Sequence, residues 1–160
     1  LTGHLVFSTL HTNDAPSAVA RLADLGVQPF LVASSVRAIM AQRLIRRLCA
    51  HCKQPGELSE TELRALQIEP GQLSEAQVMK PVGCERCRQI GYKGRIGIFE
   101  IFVINDDVRH MINKRNSTLS LRQRARELGM RTLREDGVRK VLAGLTSAEE
   151  VISITVGDVS

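Results

Sequence analysis

All four cysteines of the chain stand in two pairs of one form, Cys49-Ala50-His51-Cys52 and Cys84-Glu85-Arg86-Cys87, with 31 residues between them. A two-residue spacer lets a tight knuckle present both sulfurs to one ion, so two knuckles supply the four thiolates of a tetrahedral zinc site. Arg47, Lys53 and Arg88 flank the pairs and Arg86 lies inside the second. Cations there lower thiolate pKa values and offset the negative charge of a zinc with four thiolates. Two disulfides or four reduced core thiols are the plain alternatives, and a redox dithiol is a third, against which the doubled pair without a thioredoxin-like pattern argues. His51 is an alternative ligand inside the first knuckle, but four sulfurs already fill a structural site. A closed site supports folding. It leaves no position for a reactive water, which counts against a zinc hydrolase.

A second group of chemistry-bearing residues opens the chain. Thr2-Gly3-His4-Leu5-Val6-Phe7-Ser8-Thr9-Leu10-His11-Thr12-Asn13-Asp14-Ala15 sets two histidines around an apolar run that ends in hydroxyls and an amide. Leu5 to Leu10 reads as a buried strand delivering side chains to its C-terminal edge, where α/β sheets place ligands. Such an arrangement suits a polar sensor beside a phosphate. By itself, a histidine beside a strand is more often structural than catalytic.

The elements that must hold these groups follow from periodicity and caps. Asp14 is expected to cap a helix through Leu25, with Pro16 in its first turn, Val19, Leu22 and Ala23 on one face, and Gly26 as its stop. A short helix follows from Pro29 to Val36, then a strand from Ala38 to Leu48. Strand followed by helix suggests a doubly wound core. Between Cys49 and Cys87 the composition shifts to Gly, Pro, Ser and Glu around one helix opened by the capping box Ser59 to Glu62. Arg95 to Ile104 reads as a strand. Helices then follow from Asn105, from Ser120 with Gln123, from Thr132 with Glu135, and from Ser147 with Glu150.

The histidine segment closely resembles the histidine box of the secretion and pilus-assembly ATPases. Further matches run in the same order: Ala18 to Leu22, Leu25 to Leu31, Ala41 to Leu44, both cysteine knuckles, Gly91 to Gly97, Gly129-Met130, Asp136-Gly137 and Gly144 to Thr146. Pilus retraction motors share a similar histidine box without the four cysteines, so the resemblance is to the assembly and export branch. It implies an α/β fold comprising the C-terminal part of a RecA-like core (1–48), an inserted small zinc-binding module (49–88) and a strand plus C-terminal helical subdomain (89–160). It implies ATP hydrolysis with Mg²⁺ in the full-length protein, coupled to domain rotation in a homo-hexamer that pushes on an inner-membrane platform protein. The expected location is the cytoplasm, peripheral to the bacterial inner membrane. His4 and His11 take the γ-phosphate end of the site, and Arg21 and Arg95 are candidate charges at nucleotide or subunit interfaces. An exposed helical arginine more often belongs to a solvated face. Zn²⁺ on Cys49, Cys52, Cys84 and Cys87 is structural.

No Gly-x-x-x-x-Gly-Lys-Ser/Thr occurs in the chain. The phosphate-cradling loop, the metal-holding acidic motif and the water-orienting glutamate are therefore expected upstream of Leu1, with this chain a C-terminal piece unable to turn over ATP by itself. Phe102 to Asp107 looks superficially like the acidic motif but reads better as a strand followed by a helix cap. With 43% hydrophobic and 24% charged residues the 160-residue chain has a globular composition. The net charge of +5 suits anionic partners, but 3% aromatic content leaves few stacking platforms, so direct nucleic-acid binding is not expected. A non-enzymatic zinc-ribbon adaptor for protein or nucleic acid is the alternative; it explains the cysteines and the charge but not the histidine segment.

Overall fold

Two long segments rich in apolar residues form strands, and seven α-helices, most of them opened by a side-chain cap, pack with them in a computed structural model that describes residues 3–156. In chain order the elements are α1 (Ser17–Asp24), α2 (Pro29–Ser35), β1 (Ala38–Leu48), β2 (Gln54–Pro55), α3 (Glu60–Leu66), β3 (Met79–Lys80), β4 (Tyr92–Val103), α4 (Asp106–Asn113), α5 (Thr118–Glu127), α6 (Leu133–Leu142) and α7 (Ala148–Ile154). The molecule is thus mixed α/β. β1 pairs with β4 and β2 with β3, each as a two-stranded ladder. Gln54 lies opposite Lys80 in the short antiparallel pair. Bonds from the Ile104 N–H to the Arg37 carbonyl (3.0 Å) and from the Cys49 N–H to the Gly91 carbonyl (2.9 Å) bracket the long ladder and make it antiparallel as well. The described residues contain no parallel pair of the kind a doubly wound core uses.

The chain divides into two compact units. One comprises Glu100–Arg131 with the described residues up to Ala41; the other comprises Gln42–Phe99 with the described residues from Thr132 onward. In the first, α2 packs chiefly on α4, and α1 on α2 and α5. Val32, Phe102, Val108, Ile112 and Leu121 are buried there. In the second, α7 packs on α6 and α3, and Ile45, Leu48, Ile98, Leu133, Val141 and Val151 form the core.

Local signals account for most boundaries. Asn105, Thr132 and Ser147 accept bonds from the N–H groups of Val108, Glu135 and Glu150, and Ser59 with Glu62 forms the expected capping box. Asp14 accepts the Ser17 N–H at 2.8 Å, holding the start of α1. Two expectations are corrected. α5 is capped by Ser117, whose hydroxyl accepts the Ser120 N–H at 3.2 Å, so Ser120 is already inside the helix; the earlier start sets Leu121 and Ala125 on the buried stripe. Leu5 to Leu10 forms no strand and is not buried: Leu5, Val6 and Phe7 are 75%, 79% and 88% exposed. An apolar run becomes a strand only by bonding its backbone to a neighbour, and no described residue does so here.

One ion pair ties α7 to β1. Glu150 is capped away from solvent, its carboxylate accepting the Arg46 N–H and Nε at 2.8 Å each, with the guanidinium also stacked 4.2 Å over the Tyr92 ring. Burial pushes the Glu150 carboxyl up, but the bonds and charge of Arg46 outweigh it and hold it below the usual carboxylate range. A depressed pKa contributes stability above the unfolded value, about 4.3, which is lost as pH falls through the folded value. Glu150→Gln should therefore lower stability at pH 7 by about 1–3 kcal/mol. Paired thermal melts check this: the gap between parent and variant should close once the pH is well below about 4.

Candidate metal centre

The two knuckles meet where β1 ends and β4 begins. Cys49 follows the last residue of β1, and its carbonyl accepts the Cys52 and Lys53 N–H groups at 3.3 and 3.0 Å, which winds the first knuckle. The second knuckle is a single 3₁₀ turn, Glu85–Cys87. Arg88 and Gln89 then adopt left-handed backbone (φ 55 and 64°) and turn the chain into β4. Gly83 makes this approach feasible: at φ 117° any Cβ there would lie 2.7 Å from the Gln89 carbonyl oxygen.

The sulfurs of Cys49, Cys52, Cys84 and Cys87 all lie within 4.8 Å of one another. Cys52–Cys87 and Cys84–Cys87 are 3.8 Å apart and Cys49–Cys84 4.0 Å. Zinc–sulfur bonds of about 2.3 Å at tetrahedral angles place sulfurs about 3.8 Å apart. The four cysteines are free thiols, so the disulfide alternative is set aside. Cys49 and Cys87 are buried, and Cys52 and Cys84 half-buried. Backbone donors converge on the cluster: Gly83 N–H on the Cys52 sulfur (3.3 Å), and Cys84 and Gly91 N–H on the Cys87 sulfur (3.2 and 3.3 Å). Burial pushes the Cys87 thiol up, but the two N–H groups and neighbouring thiols outweigh it and bring it down to about 6. Burial pushes Cys52 up to about 11, against its one N–H donor from Gly83. Four thiolates cannot share this volume without a cation. The donor set, spacing and closed shell fit a structural divalent ion of zinc's preference.

Among the described residues this is the one group of three or more His, Cys, Asp or Glu side chains whose ligand atoms converge. His51 is outside it: Arg86 Nη1 sits 3.0 Å from each ring nitrogen on the exposed side of the knuckle. His4, His11 and Arg21 are exposed in the first unit, and Arg95 is exposed on β4 in the second.

The turn after His11 is more firmly built than its sequence suggests. Thr12 Oγ1 donates to the Asp14 carbonyl at 3.0 Å. Arg122 donates to Asp14 Oδ2 at 2.5 Å, and Glu100 Oε1, on a residue only 5% exposed, accepts the Ala15 N–H at 2.8 Å. Sequence reading passed over Arg122 and Glu100, and it took Glu150 only as the helix-start partner of Ser147, not as the partner of Arg46. The available signal for Glu100 was a lone carboxylate in the run Ile98-Phe99-Glu100-Ile101-Phe102; buried charges demand partners.

Residues 1–153 match the family model for type II/IV secretion system proteins. The chain is 45% identical over 156 residues to the type IV pilus assembly ATPase PilB of Thermus thermophilus, covering 98% of this chain and 18% of that protein. It is 49% identical over 157 residues to the type II secretion system protein E of Pectobacterium carotovorum, covering 97% and 30%. It is 46% identical over 155 residues to the type II secretion system protein HxcR of Pseudomonas aeruginosa, covering 97% and 29%. The chain thus spans less than a third of the length of each of these relatives.

Proposed function

The chain belongs to the type II/IV secretion system protein family, and from that membership we propose that it works as the C-terminal part of a hexameric ATPase powering type II secretion or type IV pilus assembly. The observation that carries this reading is the match over nearly the whole chain to a relative named as a pilus assembly ATPase. In this reading residues 1–48 belong to a RecA-like core, 49–88 form the zinc module, and 89–160 are the strand and helical subdomain. ATP and Mg²⁺ bind mainly through the rest of the longer protein, which works in the cytoplasm against inner-membrane partners.

The residues of this chain would then act by positioning. His11 stands just before the turn pinned by Asp14, Arg122 and Glu100, where it can reach a γ-phosphate oxygen or the attacking water; His4 lies at the other end of the same segment. Arg21 and Arg95 offer exposed guanidiniums for nucleotide or subunit contacts. Cys49, Cys52, Cys84 and Cys87 would hold zinc, which clamps the knuckles and takes no part in hydrolysis. Phosphoryl transfer depends on a phosphate loop, magnesium and a positioned water, and the loop motif is not in this sequence. The isolated chain should therefore show no magnesium-dependent ATP turnover, whereas the intact protein should. A colorimetric phosphate-release assay on both decides: turnover by the isolated chain abolished by His11→Ala, or an intact hexamer without turnover, would overturn the reading.

A further inference from the structure

We propose that the face around the metal knuckles is a docking surface for an anionic lipid bilayer. This goes beyond the motor reading and does not depend on it. Residues 42–55 and 80–97 together carry nine lysines and arginines against one acid, Glu85. Some of these cations are engaged, Arg46 by Glu150, Lys53 by the Gly144 carbonyl and Arg86 by His51. Arg47, Lys80, Arg88 and Lys93 are exposed, and no hydrogen-bond or ion-pair partner among the described residues meets their side-chain nitrogens.

These four are close together: Lys80 adjoins Pro81, whose Cβ would lie 2.5 Å from a Cβ on Gly91, and the other three lie around the bond that the Gly91 carbonyl accepts. The Cys49–Gly91 bond of 2.9 Å has Arg47 and Lys93 each two residues from it, and Arg88 three. At about 3.3 Å per extended residue they fall within some 10 Å of that bond. Two apolar side chains stand in their midst. Val82 and Ile90 are 55% and 60% exposed, and they adjoin Gly83 and Gln89, whose backbones are in direct contact. Lys80 lies two residues before Val82, and Arg88 two before Ile90. The module therefore presents a small apolar tip inside a basic collar, on loops whose backbone is fixed by the thiol cluster. Such a tip suits shallow entry between headgroups while the collar meets lipid phosphates. The collar contains no acid to match a mixed-charge protein surface except Glu85.

Flotation of the purified, zinc-loaded chain with vesicles tests this. It should float with vesicles of equal parts phosphatidylcholine and phosphatidylglycerol, not with phosphatidylcholine alone, and should dissociate as salt rises. Arg47→Glu with Lys93→Glu should weaken binding at least about thirtyfold, while Lys114→Glu with Arg131→Glu, the same change of net charge placed elsewhere, should weaken it little. Val82→Ser with Ile90→Ser, in exposed loops, should cost about tenfold and decides the matter if zinc content shows the strand variant to be misfolded. Equal uptake by neutral vesicles, insensitivity to the collar and tip variants, or equal loss in the control pair would overturn the assignment. So would retention on immobilised polyglutamate through Arg47 and Lys93 without any vesicle binding, which would mark an acidic polypeptide as the partner.

Discussion

Replacing Cys87 with serine should abolish stoichiometric zinc binding and release residues 49–92 of the second unit from their fixed conformation while leaving the first unit largely intact. Cys87 is the cysteine on which most of the cluster depends. Its sulfur lies 3.8 Å from those of Cys52 and Cys84 and accepts the Cys84 and Gly91 N–H groups. Serine offers a hard, protonated oxygen in place of a thiolate, so the ion would lose a ligand and the two N–H groups their charged acceptor. Structural zinc contributes about 10–16 kcal/mol in small zinc-finger peptides at neutral pH. Only part of that should appear here, because Ile45, Leu48, Ile98 and Val151 supply the second unit with an independent core. Hydrogen exchange should show the change by place: protection lost across residues 49–92, weakened in α6 and α7, and retained in α2 and α4. A chelator should reproduce it in the parent protein. One zinc per chain retained in Cys87→Ser, or unchanged exchange at the knuckles once zinc is gone, would refute the assignment.

On the proposed motor reading, His11→Ala in the full-length protein should reduce ATP turnover by about 10²–10³ while changing nucleotide affinity little. A ground-state phosphate is held by loop amides and lysine, whereas a group at the γ-phosphate matters most as charge redistributes during cleavage; losing one transition-state contact of that kind costs about 2.7–4 kcal/mol. The plain rival holds that His11 serves the following turn. The structure weakens it, because that turn is held by Thr12, Asp14, Arg122 and Glu100, and His11 is exposed with no bonding partner among the described residues. The variant should therefore melt with the parent. A lowered melting temperature with unchanged turnover per folded subunit would favour the rival.

What could be read from the sequence was local. A two-residue spacer between cysteines and a serine three residues before a glutamate each describe one turn of chain, and both appeared where expected, as did β1, whose alternation of exposed and less exposed residues runs from Ala38 to Arg46 and breaks at Arg47. What could not be read was pairing. Leu5 to Leu10 has a strand's composition, yet composition states a wish for burial without naming a neighbour. Between Ser117 and Ser120 the choice of cap turned on which start would bury Leu121 and Ala125, a tertiary matter. The role of Glu100 and the pairing of Glu150 with Arg46 were hidden for the same reason: the partners, Ala15 and Arg46, lie 85 and 104 residues away.

The position of the thiol cluster at the neck of the segment that joins β1 to β4 has a consequence for the order of events during synthesis. Leu48 and Tyr92 end the long ladder, and 43 residues separate them; bringing the ends of such a loop together costs about 3 kcal/mol of chain entropy. Metal capture by the two knuckles meets that cost just before the strands can zip. At about 5–20 residues per second, however, the ribosome delivers Cys84 some two to six seconds after Cys52. Throughout that interval the first knuckle is a solvent-facing dithiol with half a coordination shell, open to oxidants and to softer metals such as copper(I). The nascent chain is thus most exposed to redox and metal stress during a few seconds that the finished fold no longer reveals.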